Sequence, residues 1–532
     1  MNLTRRNFFK GASVAGASIM AASIVGCSAP EPVAKEATPE EENSQAKTYA
    51  PEQSYECDLA IIGAGNSGMC AAIEATALGL NVILIEKSTE IGGSSFATEV
   101  IFGLGSKMQA EANLDLPYRY QVVNEELSYT NHHSDPLLWG DYVDHSGENI
   151  DWLQEQGVPF DSVDDYRGVS AFDTAHWWEG KIGTSFLESM TARIGELGIE
   201  THTGTSALDL KTEGGKVIGL YAETGDGKVI EYNARAVLLA CGGIGNDLAL
   251  LQEKTGIDTT HAKPEFPLPN VGDGHRMAWA VGAKETDISI LPCLGVDGFV
   301  IRDAISMASC IQPGLYINGD GERFMAEDLH LKKLYALVIN AQRSQLTSTY
   351  TFFDNDFIEL LENGRGSYVG NLEVEPGDTL PGLREQLETG SQATGYRVVY
   401  KGETLEDLAT DMGANPETLQ ATILRYNELC EKGIDEDFGK DSEYMNPVGS
   451  GPYYAVHTDL SVLTTFGGVG INRNMQVIDG ENQVIPGLYS SGVTSCGLYQ
   501  DTYNYQISGG MNGYCTYSGR HAAQQVAQDL KQ

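Results

Sequence analysis

The stretch that most constrains this chain runs from residue 58 to residue 87 and reads DLAIIGAGNSGMCAAIEATALGLNVILIEK. An apolar run precedes three glycines at GxGxxG spacing, Gly63, Gly65 and Gly68. A run of small residues at helical spacing follows, and a second apolar run ends at Glu86. This order predicts a strand, a tight turn, a helix and a second strand, the unit that binds a dinucleotide at its turn.

Each residue of the turn has a separate predicted task. The first glycine permits the tight turn, the second lets the backbone approach a pyrophosphate, and the third lets the helix pack against the strand. Asn66 and Ser67 open the helix, whose N-terminus directs partial positive charge at phosphates. The carboxylate of Glu86 is placed to accept hydrogen bonds from ribose hydroxyls.

The residues after the acid favour FAD over a nicotinamide cofactor. Lys87 is followed by the pair Gly92–Gly93 and by Ser94 and Ser95, and a second glycine pair at this place is typical of flavoproteins with two dinucleotide-binding segments. Later strand-and-turn segments predict further contacts with FAD, at Ala207, Gly242, Gly243, Asp273, Gly492, Gly509 and Gly510.

The N-terminal segment predicts export rather than fold. Arg5 and Arg6 precede a weakly apolar run that ends at Cys27 in a sequence resembling a lipobox. We expect residues 1–27 to be a twin-arginine signal and Cys27 to be lipidated, an ordinary cleavage site being the alternative. Residues 28–55 are rich in Pro, Glu and Ala and predict a disordered acidic tether. The protein would then lie at the extracytoplasmic face of the cell membrane.

Charge and cysteine spacing exclude other classes of partner and site. The chain has 34 Lys and Arg against 74 Asp and Glu, a formal net charge of −40. Such a surface repels phosphate backbones, which argues against nucleic-acid binding, and it suits either plain solubility or a basic electron-transfer partner. Because the cysteines form neither CxxC nor CxxCH, we predict no metal site and no covalent haem.

Three further segments extend the pattern: WLQEQGVPF at 152–160, LYINGDGERFMAE at 315–327, and the run 404–440. With the glycine motifs, they make the chain resemble the fumarate reductase/succinate dehydrogenase flavoprotein family. It is most similar to soluble exported members, namely flavocytochrome-type fumarate reductases, urocanate reductases and 3-ketosteroid Δ1-dehydrogenases. The resemblance covers nearly all of residues 56–525.

The resemblance implies an α/β fold, with a split Rossmann-like FAD-binding domain and an inserted α+β capping domain. The expected boundaries are 56–283 and 445–532 for the two parts of the FAD-binding domain and 284–444 for the cap. Within 404–431, apolar residues at helical spacing predict two helices, the second starting near Pro416.

The resemblance also implies reduction of a double bond, in which one carbon receives a hydride and an acid on the cap protonates the other. The arginine of fumarate reductases and the tyrosine of ketosteroid dehydrogenases both fall at Leu331, which cannot donate a proton. We therefore expect the proton donor among His330, Lys332, Lys333 and Tyr335. Each of these could equally be a polar residue on the surface of the cap.

The residues that grip a dicarboxylate in the family are also replaced. The family's histidine falls at Thr464 and its late arginine at Gln506 or Ile507. A dianion would then be poorly paired in a dry site, at a cost on the order of several kcal/mol. This argues against fumarate as the substrate.

Aromatic residues stand near the segments that would face the flavin. Tyr503 follows Thr502, similar to a tyrosine that polarises the substrate carbonyl in ketosteroid dehydrogenases, and is a candidate catalytic residue. We predict substrate contacts from His176, Thr464, Tyr505 and Gln506. Large rings suit a flat substrate, although each could simply be part of the core.

The sequence thus predicts an FAD-dependent enzyme that reduces an enoate or enone of a small, non-dicarboxylate, aromatic or polycyclic compound as a respiratory electron acceptor. A separate membrane-associated cytochrome or flavoprotein would supply electrons. The alternatives are a ketosteroid-type dehydrogenase, a fumarate-type dicarboxylate reductase, and a flavin electron carrier without a substrate of its own.

Overall fold

A parallel sheet holds the predicted nucleotide-binding turn. In the computed structural model, the strand before the turn pairs in parallel with the strand that leads to Glu86 and, on its other side, with a strand at 229–239. The paired segments are apolar and buried, as expected where helices cover both faces of a sheet. The structure describes residues 48–260, 262–296, 303–329, 348–370, 374–389, 397–495, 497–500 and 503–531.

The described strands and helices are numbered in chain order. The strands are β1 (Gln53–Ile62), β2 (Val82–Ile85), β3 (Val100–Phe102), β4 (Phe160–Asp164), β5 (Ala175–Trp178), β6 (Glu200–His202), β7 (Thr205–Glu213), β8 (Lys216–Thr224), β9 (Val229–Leu239), β10 (Lys263–Pro264), β11 (Glu285–Gly295), β12 (Leu315–Asn318), β13 (Thr349–Phe353), β14 (Val399–Gly402), β15 (Tyr453–Val469), β16 (Gln476–Ile478) and β17 (Val484–Ser490). The helices are α1 (Asn66–Ala77), α2 (Lys107–Glu111), α3 (Arg119–Tyr129), α4 (Pro136–Glu155), α5 (Thr184–Glu196), α6 (Leu248–Thr255), α7 (Asp273–Ala280), α8 (Ala304–Cys310), α9 (Asn355–Glu362), α10 (Leu383–Thr389), α11 (Leu405–Met412), α12 (Pro416–Lys432) and α13 (Gly510–Asp529).

These strands form three sheets. The largest has the order β16-β17-β9-β1-β2-β6, with β8 paired to β9 and β7 to β8. In it, β17, β9, β1, β2 and β6 run parallel to one another, whereas β16 and β8 pair antiparallel with β17 and β9. The second sheet has the order β10-β15-β13-β12, with β11 and β14 also paired to β15, and the third has the order β3-β5-β4.

The second sheet combines residues from both sides of a predicted boundary. Its strands β12, β13 and β14 lie in the predicted cap 284–444, whereas the long strand β15 comes from the predicted second part of the FAD-binding domain. The boundaries themselves stay predictions. The two helices predicted within 404–431 are confirmed as α11 and α12, and α12 begins at Pro416 after an N-cap formed by the side chain of Asn415.

Helices α1 and α13 pack closely, and both begin beside the same cavity. A Cβ atom at Gly519 of α13 would overlap the carbonyl oxygen of Ser67 in α1. Farther along, Arg520 Nε lies 3.1 Å from Glu74 Oε2 in a buried ion pair. The glycine and the ion pair fix the two helices side by side.

Strand β1 begins earlier than the sequence predicts. Gln53, Ser54 and Tyr55 continue the pairing with β9, and Tyr49 stacks on Tyr221 with ring centroids 4.7 Å apart. The end of the predicted tether is therefore part of the folded unit, because its aromatic rings pack against the sheet.

Several predicted features lie outside the described residues. They are the signal at 1–27 with Cys27, most of the tether, and the candidate proton donors His330, Lys332, Lys333 and Tyr335 with their neighbour Leu331. In the part of the chain that the structure describes, no helix has both the length and the apolar character needed to cross a membrane.

Candidate active site

A cavity of about 920 Å³ lies at the carboxyl ends of the parallel strands. Its lining includes Ile62 and Ile85, the last residues of β1 and β2, and Ala240 and Ser491, which follow β9 and β17. Strands β2 and β9 lie on opposite sides of β1. Ligands of α/β sheets bind at the point where the strand order diverges in this way.

The three glycines of the motif have different surroundings. Gly63 has a φ of 102°, and a Cβ there would overlap the carbonyl oxygen of Ala240. A Cβ at Gly68 would overlap the carbonyl oxygen of Gly63. By contrast, a Cβ at Gly65 would have no neighbour closer than 4.0 Å within the protein, and this residue lines the cavity. The first and third glycines are thus required by the protein itself, and the second leaves room for a ligand.

Backbone groups hold the carboxylate of Glu86 at the edge of the cavity. Its Oε2 accepts a hydrogen bond of 2.9 Å from the amide of Ala64, and its Oε1 accepts one of 2.7 Å from the amide of Ser88. Each carboxylate oxygen has a second lone pair, which could accept from a ligand hydroxyl. We call residues 62–68 and 86–95 the nucleotide turn.

The N-terminus of α13 also faces the cavity. Gly509 is its N-cap, with a φ of 77°, and a Cβ there would lie 2.6 Å from the amide nitrogen of Phe102. Gly509, Met511 and Asn512 line the cavity. The amide of Gly510 donates to the hydroxyl oxygen of Tyr503 at 3.1 Å, so this tyrosine lies at the positive end of the helix.

A second wall of the cavity is made by side chains from distant segments. The hydroxyl of Tyr166 hydrogen-bonds to Glu99 Oε2 and lies 3.0 Å from the hydroxyl of Tyr505. Arg167 Nη1 lies 3.3 Å from Glu99 Oε1, and the guanidinium sits over the ring of Trp177 at 4.9 Å. We call Glu99, Tyr166, Arg167 and Tyr505 the tyrosine cluster.

Backbone geometry and burial set the tyrosine cluster apart. Tyr166 and Arg167 both have positive φ, 52° and 59°, a conformation that is costly for large side chains and collects at functional sites. Burial raises the pKa of Glu99, although the hydrogen bond from Tyr166 and the charge of Arg167 oppose the rise. The cluster therefore holds a carboxyl group that is harder to ionise than an exposed one.

The described cations that line the cavity are paired with carboxylates. Lys87 Nζ lies 2.8 Å from Asp273 Oδ2. Arg167 Nε and Lys181 Nζ each lie 3.2 Å from a carboxylate oxygen of Glu375. Within the described lining, each of these three cations therefore has a negative partner, although Arg167 and Lys181 share the single carboxylate of Glu375.

A further buried carboxylate lines the cavity near β15. Glu265 is almost fully buried, and its Oε2 accepts a hydrogen bond of 2.5 Å from Ser461 Oγ. With Glu99, it gives the cavity lining a second carboxyl group besides those of the nucleotide turn and Asp273.

Comparison with known proteins now identifies the chain, because the FAD binding domain family model matches residues 58–506. The chain belongs to the FAD binding domain family. Vinyl phenol reductase of Lactiplantibacillus plantarum is 31% identical over 496 residues, 90% of this chain and 98% of that protein. Fumarate reductase (cytochrome) of Shewanella frigidimarina is 26% identical over 476 residues, 88% of this chain and 76% of that protein.

The solved structure of 3-ketosteroid Δ1-dehydrogenase from Sterolibacterium denitrificans has the same fold. Its TM-score is 0.71 at 18% identity, with 89% of this chain and 100% of that chain covered. These comparisons confirm the fumarate reductase-like family, the α/β fold class and FAD as the cofactor. The protein is an FAD-dependent oxidoreductase that acts on carbon–carbon double bonds.

The residues of this flavoenzyme fit FAD. A Cβ at Gly93 would lie 3.3 Å from Gly65 Cα, so two glycine turns meet where a phosphate group needs bare backbone. Of the predicted cofactor contacts, those that line the cavity are Gly63, Gly65, Asn66, Ser67, Glu86, Lys87, Gly93, Ser94, Ser95, Ala207, Gly242, Asp273, Gly492 and Gly509. Gly68, Gly92, Gly243 and Gly510 do not line it but belong to the adjoining turns.

The predicted substrate residues of the flavoenzyme divide into two groups. Thr464, Tyr503, Tyr505 and Gln506 line the cavity. His176 does not: its side chain is fully buried in β5, with Nε2 2.7 Å from Ser106 Oγ and Nδ1 3.2 Å from the carbonyl oxygen of Thr174. Burial lowers the pKa of its imidazole to about 4. Its ring supports the third sheet, and the predicted contact with substrate is not seen.

Sequence reasoning missed most of the tyrosine cluster and the cations beside it. The replacement of the family's histidine and arginine suggests a lining without positive charge. The structure differs, because Arg167 and Lys181 line the cavity. The dipeptide Tyr166–Arg167 stands in a polar stretch, DDYRG, that is typical of an exposed turn. Only the tertiary contact with Glu99 and Trp177 buries it, and no local pattern signals that contact.

Proposed function

We propose that this protein reduces the double bond of an uncharged aromatic alkene, such as a hydroxystyrene, and that this compound serves as a respiratory electron acceptor. One observation carries the proposal: the described cations of the cavity are already paired with carboxylates. A dicarboxylate would have to compete with Asp273 and Glu375 for these cations, would meet the carboxyl groups of Glu99 and Glu265, and would leave one or other set of carboxylates unpaired. Burying such unpaired charges costs several kcal/mol.

The aromatic lining supports a flat substrate. Rings stack on one another in offset or edge-to-face arrangements and gain free energy beyond simple burial. The described aromatic residues that line the cavity are Phe96, Tyr166, Phe266, Tyr368, Tyr444, Tyr503 and Tyr505. A hydroxystyrene offers these residues a ring to stack on and a hydroxyl to hydrogen-bond.

The relative with 31% identity gives the proposal its substrate class. That protein is named vinyl phenol reductase, and the match covers 98% of its length. A vinyl phenol carries no carboxylate, in keeping with a cavity whose cations already pair with carboxylates of the protein.

The chemistry requires positioned functional groups from the protein. Bound FAD supplies the hydride. The chain must supply a proton to the other alkene carbon. For a phenolic substrate it can also accept a hydrogen bond from the phenol hydroxyl, which raises the electron density of the ring and alkene and so favours protonation of the alkene carbon. The hydroxyl groups of Tyr503 and Tyr505 and the carboxyl groups of Glu99 and Glu265 are the described candidates, since each residue lines the cavity.

A substrate panel tests the proposal. The FAD-loaded protein, reduced by a viologen dye, is assayed with para-vinylphenol, para-hydroxycinnamate, a steroid enone and fumarate. We expect kcat/KM for para-vinylphenol to exceed that for fumarate by at least about 100-fold, the equivalent of about 2.7 kcal/mol. A preference for fumarate would contradict the proposal. A preference for the steroid enone would also contradict it and would favour a ketosteroid as the substrate.

We also propose that the protein is exported and anchored by lipid at Cys27, and that a membrane-associated cytochrome or flavoprotein supplies electrons. The support is the twin arginine at residues 5 and 6, the lipobox-like sequence before Cys27 and the net charge of −40. In its native host, Cys27→Ser should move the protein from the membrane fraction to the soluble exported fraction. Wild-type protein found in the cytoplasm would contradict export.

A further inference from the structure

We propose that Tyr505 donates the proton that completes reduction of the double bond, and that Tyr166 and Glu99 return a proton to it. This inference rests on the proposed reduction of a carbon–carbon double bond. It assigns the proton supply to the described wall of the cavity rather than to the predicted donors around residue 331.

The three side chains form a continuous hydrogen-bonded path. The hydroxyls of Tyr505 and Tyr166 are 3.0 Å apart, and either can be the donor. The hydroxyl of Tyr166 is bonded directly to Glu99 Oε2. All three residues line the cavity, and the edge-to-face packing of the two rings, with centroids 5.4 Å apart, holds the hydroxyls together.

The transfer is a sequence of three proton movements without any change in the oxidation state of the residues. The O–H bond of Tyr505 breaks as a C–H bond forms on the alkene carbon that has not received the hydride. The Tyr166 hydroxyl donates to Glu99 Oε2 in the described arrangement, so the relay first requires it to turn toward Tyr505 while protonated Glu99 donates to it. The oxygen of Tyr505 then takes the proton of Tyr166, and the oxygen of Tyr166 takes the carboxyl proton of Glu99. Glu99, left as a carboxylate, regains a proton from solvent in the cavity before the next turnover.

The surroundings of Glu99 suit both of its charge states. Burial raises the pKa of Glu99, the direction that favours the protonated acid from which the relay starts. After transfer, Arg167 Nη1 at 3.3 Å from Glu99 Oε1 stabilises the carboxylate. Arg167 is in turn held by Glu375 and by the face of Trp177. It acts as a positioning residue.

Tyr503 has a different environment, although it lines the same cavity. Its hydroxyl oxygen accepts the amide of Gly510 at the start of α13, and burial raises its pKa. Tyr505 has instead the direct hydroxyl link to Tyr166, and through it to a carboxyl group. That link is why the proton supply is assigned to Tyr505.

Single-turnover kinetics test the assignment. Reduced, FAD-loaded Tyr505→Phe, Tyr166→Phe and Glu99→Gln are mixed with whichever alkene the wild-type protein reduces best, and flavin reoxidation is followed. We expect Tyr505→Phe to lose about 100-fold in rate, the usual contribution of a positioned acid, and the other two variants to lose at least about 10-fold. Tyr120→Phe, on an exposed ring, is the matched control.

The pH profile distinguishes a proton relay from simple packing. The titratable and charged groups around Glu99 are Tyr166, Arg167 and Glu375. Because the neutral acid is the proton source, the wild-type rate should fall as pH rises through the pKa of Glu99, and Glu99→Gln should lose this limb. The assignment is overturned if Tyr505→Phe stays within about threefold of wild type or if the limb persists in Glu99→Gln.

Infrared difference spectroscopy of the oxidised FAD-loaded protein gives a readout without turnover. The spectrum of the wild-type protein minus that of Glu99→Gln should show the carbonyl band of a protonated carboxyl group at neutral pH. A carboxylate band in that difference spectrum would overturn the relay. Because the kinetic test uses the best alkene, whatever its class, the relay can fail while the substrate proposal stands. Conversely, a wild-type preference for fumarate defeats the substrate proposal and leaves the relay to be tested with fumarate.

Discussion

The nucleotide turn and the tyrosine cluster each place a carboxylate at the same cavity, by opposite means. Glu86 is held by two backbone amides, those of Ala64 and Ser88. Glu99 is held by the side chains of Tyr166 and Arg167. The first arrangement depends on the path of the chain, and the second depends on which side chains meet.

The difference separates binding of the cofactor from choice of the substrate. Amide groups presented by glycine turns bind a pyrophosphate whatever the neighbouring side chains are. A wall of side chains can change its charge and shape without disturbing the sheet beneath it. The nucleotide turn should therefore tolerate substitutions that change side-chain charge but not those that add a Cβ atom at its closely packed glycines. The tyrosine cluster should instead be sensitive to changes in side-chain charge.

The largest expected effect is loss of flavin from Gly68→Ala. The added Cβ would overlap the carbonyl oxygen of Gly63, so α1 must move away from the turn that holds the pyrophosphate. We expect protein without the yellow flavin absorbance, measured as FAD per chain after purification. Gly195→Ala in α5 is the matched control: its Cβ meets no atom within 4 Å, and alanine is the better helix former by about 1 kcal/mol.

Full flavin occupancy in Gly68→Ala would show that the turn adapts to side chains, and the contrast between the two regions would then be lost. A melting curve for each variant shows whether loss of flavin reflects the turn or general unfolding, because the control changes a glycine in the same sheet-covering layer of helices.

This contrast also explains how far the sequence could predict the structure. The spacing of Gly63, Gly65, Gly68 and Glu86 specifies a local backbone path, so the nucleotide turn was readable from one segment. The helix boundary at Pro416 was readable for the same reason, since proline fixes its own φ and lacks an amide proton.

The tyrosine cluster could not be read in this way. Glu99, Tyr166 and Tyr505 come from three segments, separated by 67 and 339 residues, and no local motif links them. Tertiary contact, not local pattern, buries them. Likewise, the sequence predicts a substrate contact for His176, whereas the alternation of β5 in the third sheet directs its ring to Ser106.

A second carboxyl group with a raised pKa, that of Glu126, lies in the helix beside the turn that carries Tyr505. Helix α3 packs against the turn at 505–507, and burial raises the pKa of its Glu126 to about 8, although Ser134 and Asn504 favour the charged form. Between pH 4.5 and about 8, the folded protein therefore keeps the carboxyl proton of Glu126, whereas the unfolded chain, in which the pKa has its ordinary value of 4.5, has lost it. Stability should fall as pH rises from 4.5 to about 8.

Glu126→Gln should remove this dependence, because glutamine stays neutral and keeps an acceptor for Ser134. We expect the variant to exceed wild type in free energy of unfolding near pH 8 by up to about 5 kcal/mol, and the difference to shrink towards pH 5. Urea unfolding at both values measures it. Glu111→Gln, at an exposed site, should show no such divergence; equal pH slopes for wild type and Glu126→Gln would mean that this carboxyl is ionised when buried.

Glu375→Gln should alter which substrates the cavity accepts. Glu375 is the carboxylate that Arg167 and Lys181 share, and its loss removes one negative charge from this wall of the cavity. We expect the catalytic efficiency (kcat/KM) with para-hydroxycinnamate, relative to that with para-vinylphenol, to rise about 10-fold, the equivalent of about 1.4 kcal/mol. Glu359→Gln, an exposed carboxyl of the nearby α9, is the control. An unchanged ratio would mean that charge at this wall does not select the substrate.

The smallest expected effect is that of Lys87→Met, although Lys87 belongs to the nucleotide turn. Its ion pair with Asp273 is about one-third exposed on both sides, and pairs of this kind contribute at most about 1 kcal/mol. Affinity for FAD, measured by titrating the apoprotein, should therefore weaken by no more than about fivefold, with Lys107→Met, which removes an exposed lysine paired to Asp151, leaving it unaltered. If Lys87→Met lost flavin as completely as Gly68→Ala, a side-chain charge would be holding the cofactor, and the backbone would no longer account for binding at this turn.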